Sequence, residues 1–250
     1  MKLACASTAF DQRLTSGDLT QLEWLDLCAR ELAADGIVCD VRHFPRHDSD
    51  YLAQVKKMAV DLGLTVAAVS SEEFFSGDEG AMRDVLAIAD AIGAPIVAAP
   101  LALETAESWS AVLGRIGVAT SLAKTMNVTL AVRNRAHTFA ATSHDLKRVS
   151  KEADSAWLRF ALEFGAFDAA SDPTLLLSRS VLFWHTHAPA ETDSDESPAL
   201  EPFLDALEEC RGFLVLDMAN GAADREPMRN VVRKWRTILA EEELGDSIGG

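Results

Sequence analysis

The sequence is poor in positive charge, has no closely spaced cysteine pair, and lacks long apolar runs and glycine-rich loops. Lysine and arginine number 23 against 39 aspartates and glutamates, a formal net charge of −16. Such a surface repels phosphate backbones and anionic headgroups, so neither nucleic acid nor a membrane is expected as a partner. No apolar run approaches the ~18 residues that a membrane-spanning helix needs. The opening "MKLACASTAF" is short and followed by polar residues, and it reads as a first strand rather than a signal peptide. Neither GxGxxG nor a Walker A motif occurs, so nucleotide binding has no support. Cys5, Cys28, Cys39 and Cys210 form no CxxC pair, and Cys5 and Cys39 lie in apolar, strand-like runs. They read as reduced core thiols of a cytoplasmic protein, not as a disulfide framework or a metal site.

What is present is an alternation. Short apolar runs, "KLACAS", "GIVCDV", "LTVAAVS", "APIVAAP", "VTLAVR", "LRFALEFG", "VLFWHTH" and "GFLVLD", are separated by amphipathic stretches. Those at 19–35, 50–63, 81–93, 106–126, 142–154 and 226–243 repeat apolar residues at helical spacing, as in Leu22, Leu25, Cys28, Ala29 and Leu32. Ser16 or Asp18, Asp78 and Thr142 or Ser143 are candidate N-caps, and glycines after "D", "L" and "I" are candidate C-terminal caps.

About eight strands, each followed by a helix at a spacing of ~30 residues, predict a single-domain α/β protein, a (β/α)8 TIM barrel. The barrel is expected over 1–244, with 245–250 as a flexible tail. A doubly wound open sheet would want fewer units and a glycine-rich first turn. The acidic, proline-containing stretch 188–202 reads as a solvated loop.

In such barrels the site lies at the C-terminal ends of the strands. Polar residues gather there: Asp40, Arg42 and His43; Ser70, Ser71, Glu72 and Glu73; Arg133 and Arg135; Glu163; His185 and His187; Asp217. Strand alternation puts Arg133 and Arg135 on one face with Ala131, Glu163 with Ala161, and His185 and His187 with Phe183. Unpaired buried charge is costly, so this cluster is expected to be more than core. Phe74 and Phe75, in a loop beyond strand three, are candidates to wall a pocket, a lid or a partner interface, or else to pack over the barrel top, and His43 is a candidate to touch a substrate. His47 reads as a solvated turn residue, and His137 and His144 as neighbours of the next helix. Trp24, Trp157, Trp184 and Trp235 are expected to face the helical layer.

On "GIVCDVR", "DLGLTVAAVS", "AIGAPIVAAP", "VTLAVRNRAHTFAATSHDLKRV", "LRFALEFGAFDAASDP", "SVLFWHTHAP" and "GFLVLD", nearly the whole chain resembles the xylose-isomerase-like TIM barrels. That superfamily of sugar and sugar-phosphate isomerases and epimerases also contains endonuclease IV. The resemblance implies a divalent cation (Mn, Mg, Co or Zn) held by Glu, Asp, His and Glu at the ends of strands five to eight. Here those positions correspond to Arg133, Glu163, His185 and Asp217. The His and Asp that accompany the ligands on strands six and seven correspond to Ala166 and Ala188. Arginine cannot ligate a metal, so Arg133 is expected to bridge the carboxylates in the cation's place. Glu163, His185 and Asp217 remain as a three-ligand alternative.

The resemblance therefore implies proton abstraction next to a carbonyl in a small carbohydrate or anionic substrate. Glu163 or Asp217 would be the base, Arg133 the oxyanion partner, and His185 or His187 the proton donor. Arg135, His187, His43, Glu72 and Phe74 would bind substrate. A homo-oligomer is compatible with this reading. Endonuclease action is disfavoured by six histidines and the negative charge. The alternative is a non-catalytic descendant that binds a ligand or serves as a scaffold. An open cleft lined by Arg135, His187 and Phe74 or Phe75 would favour a ligand, and a filled mouth the scaffold.

Overall fold

A computed structural model describes residues 1–166, 174–188 and 212–246, the last six in backbone only. Eight parallel strands close into a barrel in sequence order. They are β1 (Lys2–Ala6), β2 (Gly36–Asp40), β3 (Thr65–Ser70), β4 (Ile96–Pro100), β5 (Thr129–Arg133), β6 (Leu158–Glu163), β7 (Ser180–His187) and β8 (Phe213–Met218). The surrounding helices are α1 (Asp11–Ser16), α2 (Gln21–Arg30), α3 (Ser49–Asp61), α4 (Glu79–Ile92), α5 (Trp109–Met126), α6 (Ser143–Ala153), α7 (Thr174–Leu177) and α8 (Arg225–Asp246). The single-domain (β/α)8 expectation is met.

Two apolar layers explain why both faces of each strand are buried, as a barrel wrapped in helices requires. Between strands and helices lie Leu3, Cys5, Ile37, Cys39, Val97, Leu130, Val132, Leu162, Phe183 and Leu216, packed with Trp24 of α2 and Trp235 of α8. Inside the barrel lie Ala4, Ala6, Val38, Ala68, Ala98, Ala131, Ala161, Leu182, Trp184 and Val215. Trp184 thus points inward, against the expectation that it faces the helices. The alanines on neighbouring strands leave the volume that its indole fills. Trp24 and Trp235 meet their expectation, and Trp157 is half-buried.

Local signals set most helix ends. Asp78 caps α4 and Thr142 caps α6, each accepting the backbone N–H three residues on. Thr20, not Ser16 or Asp18, caps α2, in a reciprocal pair with Glu23. Gly93 ends α4 with φ +80°. Gly36 is not a cap: it opens β2, where a Cβ would lie 2.6 Å from the Phe213 ring and 2.8 Å from the Thr65 carbonyl oxygen.

Residues 245 and 246 of the expected tail continue α8, and 247–250 lie outside the described residues. So do Cys210 and, from residue 189 onward, the acidic stretch. Cys5, Cys28 and Cys39 are buried free thiols, and burial raises the pKa of Cys28 and Cys39. No helix among the described residues is long and apolar enough to cross a membrane.

Candidate functional site at the barrel mouth

Because side chains alternate along each strand, the layer above Trp184 is built from the inward residues nearest the C-terminal ends. These are Asp40, Ser70, Arg133, Glu163, Thr186 and Asp217, joined by Thr8 from the loop after β1. Arg133 stands at the centre. One terminal guanidinium nitrogen donates to Glu163 Oε2 at 3.0 Å, and Cζ sits 4.2 Å from the Trp184 ring centroid. This is an ion pair combined with a cation–π contact. Among the described residues Nη1 makes no hydrogen bond, and Nε is buried without a partner. The Arg133 side chain is 18% exposed and that of Glu163 10%, so both remain in contact with the mouth.

Glu163 also accepts the Thr186 amide at 3.0 Å (Oε1) and the Thr186 hydroxyl at 3.1 Å (Oε2). Asp217 Oδ2 accepts Thr8 Oγ1 at 2.8 Å and the Trp184 indole N–H at 3.1 Å, while Oδ1 accepts the Met218 amide at 2.9 Å. Burial raises the Asp217 pKa, opposed by the Arg133 charge and by the Thr8 and Met218 hydrogen bonds. Asp40 is bonded by Ser70 Oγ at 3.0 Å and by Arg42 Nε at 2.9 Å.

Asn134, buried beside Arg133, ties β5 to β6. Its Oδ1 accepts the Glu163 amide at 2.6 Å, and its Nδ2 donates to the Glu163 carbonyl at 3.1 Å. Asn134, Thr186, Trp184 and Thr8 are site residues that the sequence reading missed.

The structure corrects several expectations. His185 and His187 share a face with Phe183, but it is the outer face. The His185 ring lies 5.5 Å from Trp235 of α8 and 6.3 Å from Phe164, and His187 Nε2 accepts the Trp235 indole N–H at 3.1 Å. His185 therefore does not converge with Glu163 and Asp217, and His187 does not face a ligand at the mouth. Burial, with His185 and Lys234 nearby, lowers the His187 pKa to about 3. Phe74 and Phe75 are core residues packed edge-to-face at 5.1 Å, not pocket walls. His43 is buried: its Nδ1 pairs with Ser7 Oγ at 2.7 Å and its Nε2 with Asp11 Oδ1 at 2.8 Å. Ser7 Oγ also accepts the Asp40 amide at 2.8 Å, and because the Asp11 carboxylate only accepts, Nε2 is the nitrogen that donates to it.

Arg135 leaves the barrel interior and pairs with Glu72 at the rim. Both line an open cleft of about 520 Å³ with Pro100, Leu101, Leu103 and His137. Of the side chains expected to open such a cleft, only Arg135 does so.

A divalent cation does not fit this donor set. An arginine occupies the centre, strand seven presents Thr186 instead of a histidine, and Glu163 is bonded to Arg133. Among the described residues no group of three His, Cys, Asp or Glu side chains is placed to hold a metal ion.

No protein-family model and no curated protein matches the sequence. Solved structures do match. The probable 3-DHS dehydratase AsbF from Bacillus anthracis has a TM-score of 0.75 at 12% identity, over 94% of this chain and 99% of that one. L-ribulose 3-epimerase has a TM-score of 0.75 at 14% identity, over 99% and 97%. The IolI protein, described with a bound zinc atom, has a TM-score of 0.72 at 14% identity, over 97% and 99%. With TM-scores of 0.72 to 0.75 over nearly the full length, the chain shares the (β/α)8 barrel fold of these proteins and of a xylose isomerase domain protein from Alicyclobacillus acidocaldarius.

Proposed function

We propose that the protein is a sugar or sugar-phosphate isomerase/epimerase-type enzyme that works without a metal on a small polyhydroxylated carbonyl compound. The observation that carries this reading is Arg133, a fixed cation inside the barrel mouth, 3.0 Å from Glu163 and with a terminal nitrogen still unbonded among the described residues. Glu163 would take the proton next to the substrate carbonyl. Arg133 would hold the oxyanion that develops, the task that a cation performs in such chemistry. Asp217 is a positioning residue that holds Trp184 beneath the guanidinium. His185 and His187 have no part in proton transfer, since both face α8. Likeness to sugar epimerases in fold supports the substrate class.

The test is solvent-deuterium exchange, followed by NMR, on a panel of ketoses, aldoses and their phosphates. Deuterium should enter the C–H next to the carbonyl of at least one of them, and Arg133→Ala should abolish it. Exchange that survives Arg133→Ala would overturn this role.

One observation favours a second reading, a ligand-binding barrel without turnover. Both oxygens of Glu163 already accept hydrogen bonds, from Arg133 and from the Thr186 amide and hydroxyl, which occupies the carboxylate with protein donors. Saturable binding of a panel member with no exchange of any C–H would establish that reading instead.

A further inference from the structure

Three features of the rim cleft have no part in this chemistry. Leu103 is 51% exposed, one of few large apolar side chains so placed among the described residues, and it lines the cleft with Pro100 and Leu101. His137 adopts φ +64°, an uncommon conformation for a residue other than glycine, of a kind that collects at binding sites. It is held there by a small ribbon: Leu103 bridges Thr138, Glu104 N–H donates to the His137 carbonyl, and Phe139 N–H donates to the Ala102 carbonyl. Finally, Arg135 gives Nη1 to Glu72 and keeps its other donors unbonded among the described residues. The second acid of the cleft, Glu107, is already paired with Arg115.

The volume, about 520 Å³, suits a small organic molecule. Pro100, Leu101, Leu103 and Ala106 form an apolar wall that suits a hydrocarbon body, while Ser76, His137 and Thr138 line the rest of the cleft. The open guanidinium fork suits a carboxylate.

We propose that this cleft is a subsite for a small organic carboxylate with an apolar or ring-shaped body. The anion sits on Arg135 and the body on Pro100, Leu101 and Leu103. The inference rests on reading the barrel as a small-molecule binder and adds a ligand distinct from the polyhydroxylated substrate, since neither Arg133 nor Glu163 lines this cleft.

The test uses full-length protein carrying 13C-labelled leucine methyls, titrated separately with benzoate, cyclohexanecarboxylate, cyclohexanol, gluconate and inorganic phosphate. Benzoate and cyclohexanecarboxylate should shift the methyl signal that disappears in Leu103→Asp, and do so saturably. Cyclohexanol, gluconate and phosphate should bind at least about tenfold more weakly. Arg135→Gln and Leu103→Asp should each weaken benzoate about tenfold or more. Gluconate or phosphate binding as tightly as benzoate would overturn the proposal, as would benzoate binding that leaves the Leu103 methyls unmoved. Benzoate binding with no deuterium exchange on any sugar would sink the isomerase reading and leave the subsite standing. Sugar exchange without benzoate binding would do the reverse.

Discussion

Two buried titratable side chains, His187 and Asp217, pull stability in opposite directions as pH changes. Folding lowers the His187 pKa from 6.5 to about 3, so between those values the native state binds fewer protons than the unfolded chain. Stability from this group is full above pH 6.5 and is lost as pH falls towards 3, at about 1.4 kcal/mol per pH unit. The Asp217 pKa is raised, so its contribution is largest at low pH and declines as pH rises through its own window. His187→Gln keeps an acceptor for the Trp235 indole N–H and removes the titration. Urea unfolding at pH 7 and pH 5 should show a stability loss about 2 kcal/mol smaller in this variant than in the parent. Equal losses would mean that His187 is protonated in the native state well above pH 3.

At the scale of the element, one side chain extends the β5–β6 pairing beyond the end of its ladder, since Asn134 serves both backbone groups of Glu163. Asn134→Ala should leave a buried N–H and C=O without partners. That costs about 1–3 kcal/mol and lowers the unfolding midpoint by about 2–4 °C for each kcal/mol. Calorimetry checks this, and an unchanged midpoint would show that water replaces the amide. Strand β7 shows where sequence reading stops. Phe183 and Trp184 are both large and apolar, and both faces of a barrel strand are buried, so hydrophobic alternation does not distinguish inside from outside. His185 was therefore assigned to the wrong face. On β5 and β6 the small residues Ala131 and Ala161 resolved the parity, and Arg133 and Glu163 do face each other. The six longer helices were legible because their apolar residues recur at helical spacing, whereas the short α1, with no buried residue, and the four-residue α7 were not. The Asn134 clamp was not, because it pairs side chain with backbone across 29 positions.

For the molecule as a whole, the proposal that Arg133 takes the place of a cation predicts that no divalent ion adds to stability. Anything bound to the native state alone raises its stability in proportion to ligand concentration over Kd, by about 2.7 kcal/mol at a hundredfold excess. Addition of Mn2+, Mg2+, Co2+ or Zn2+ should thus leave the thermal midpoint where it was. A saturable rise that Glu163→Gln abolishes would show a cation site and displace Arg133 from its assigned place. The same wholeness applies to the interior. One indole occupies space ceded by alanines on β1, β3, β4, β5 and β6, and it also carries the cation above it. Position 184 and those alanines therefore share one fixed volume across the ring, so a larger side chain at any of the alanines collides with the indole unless Trp184 shrinks in step.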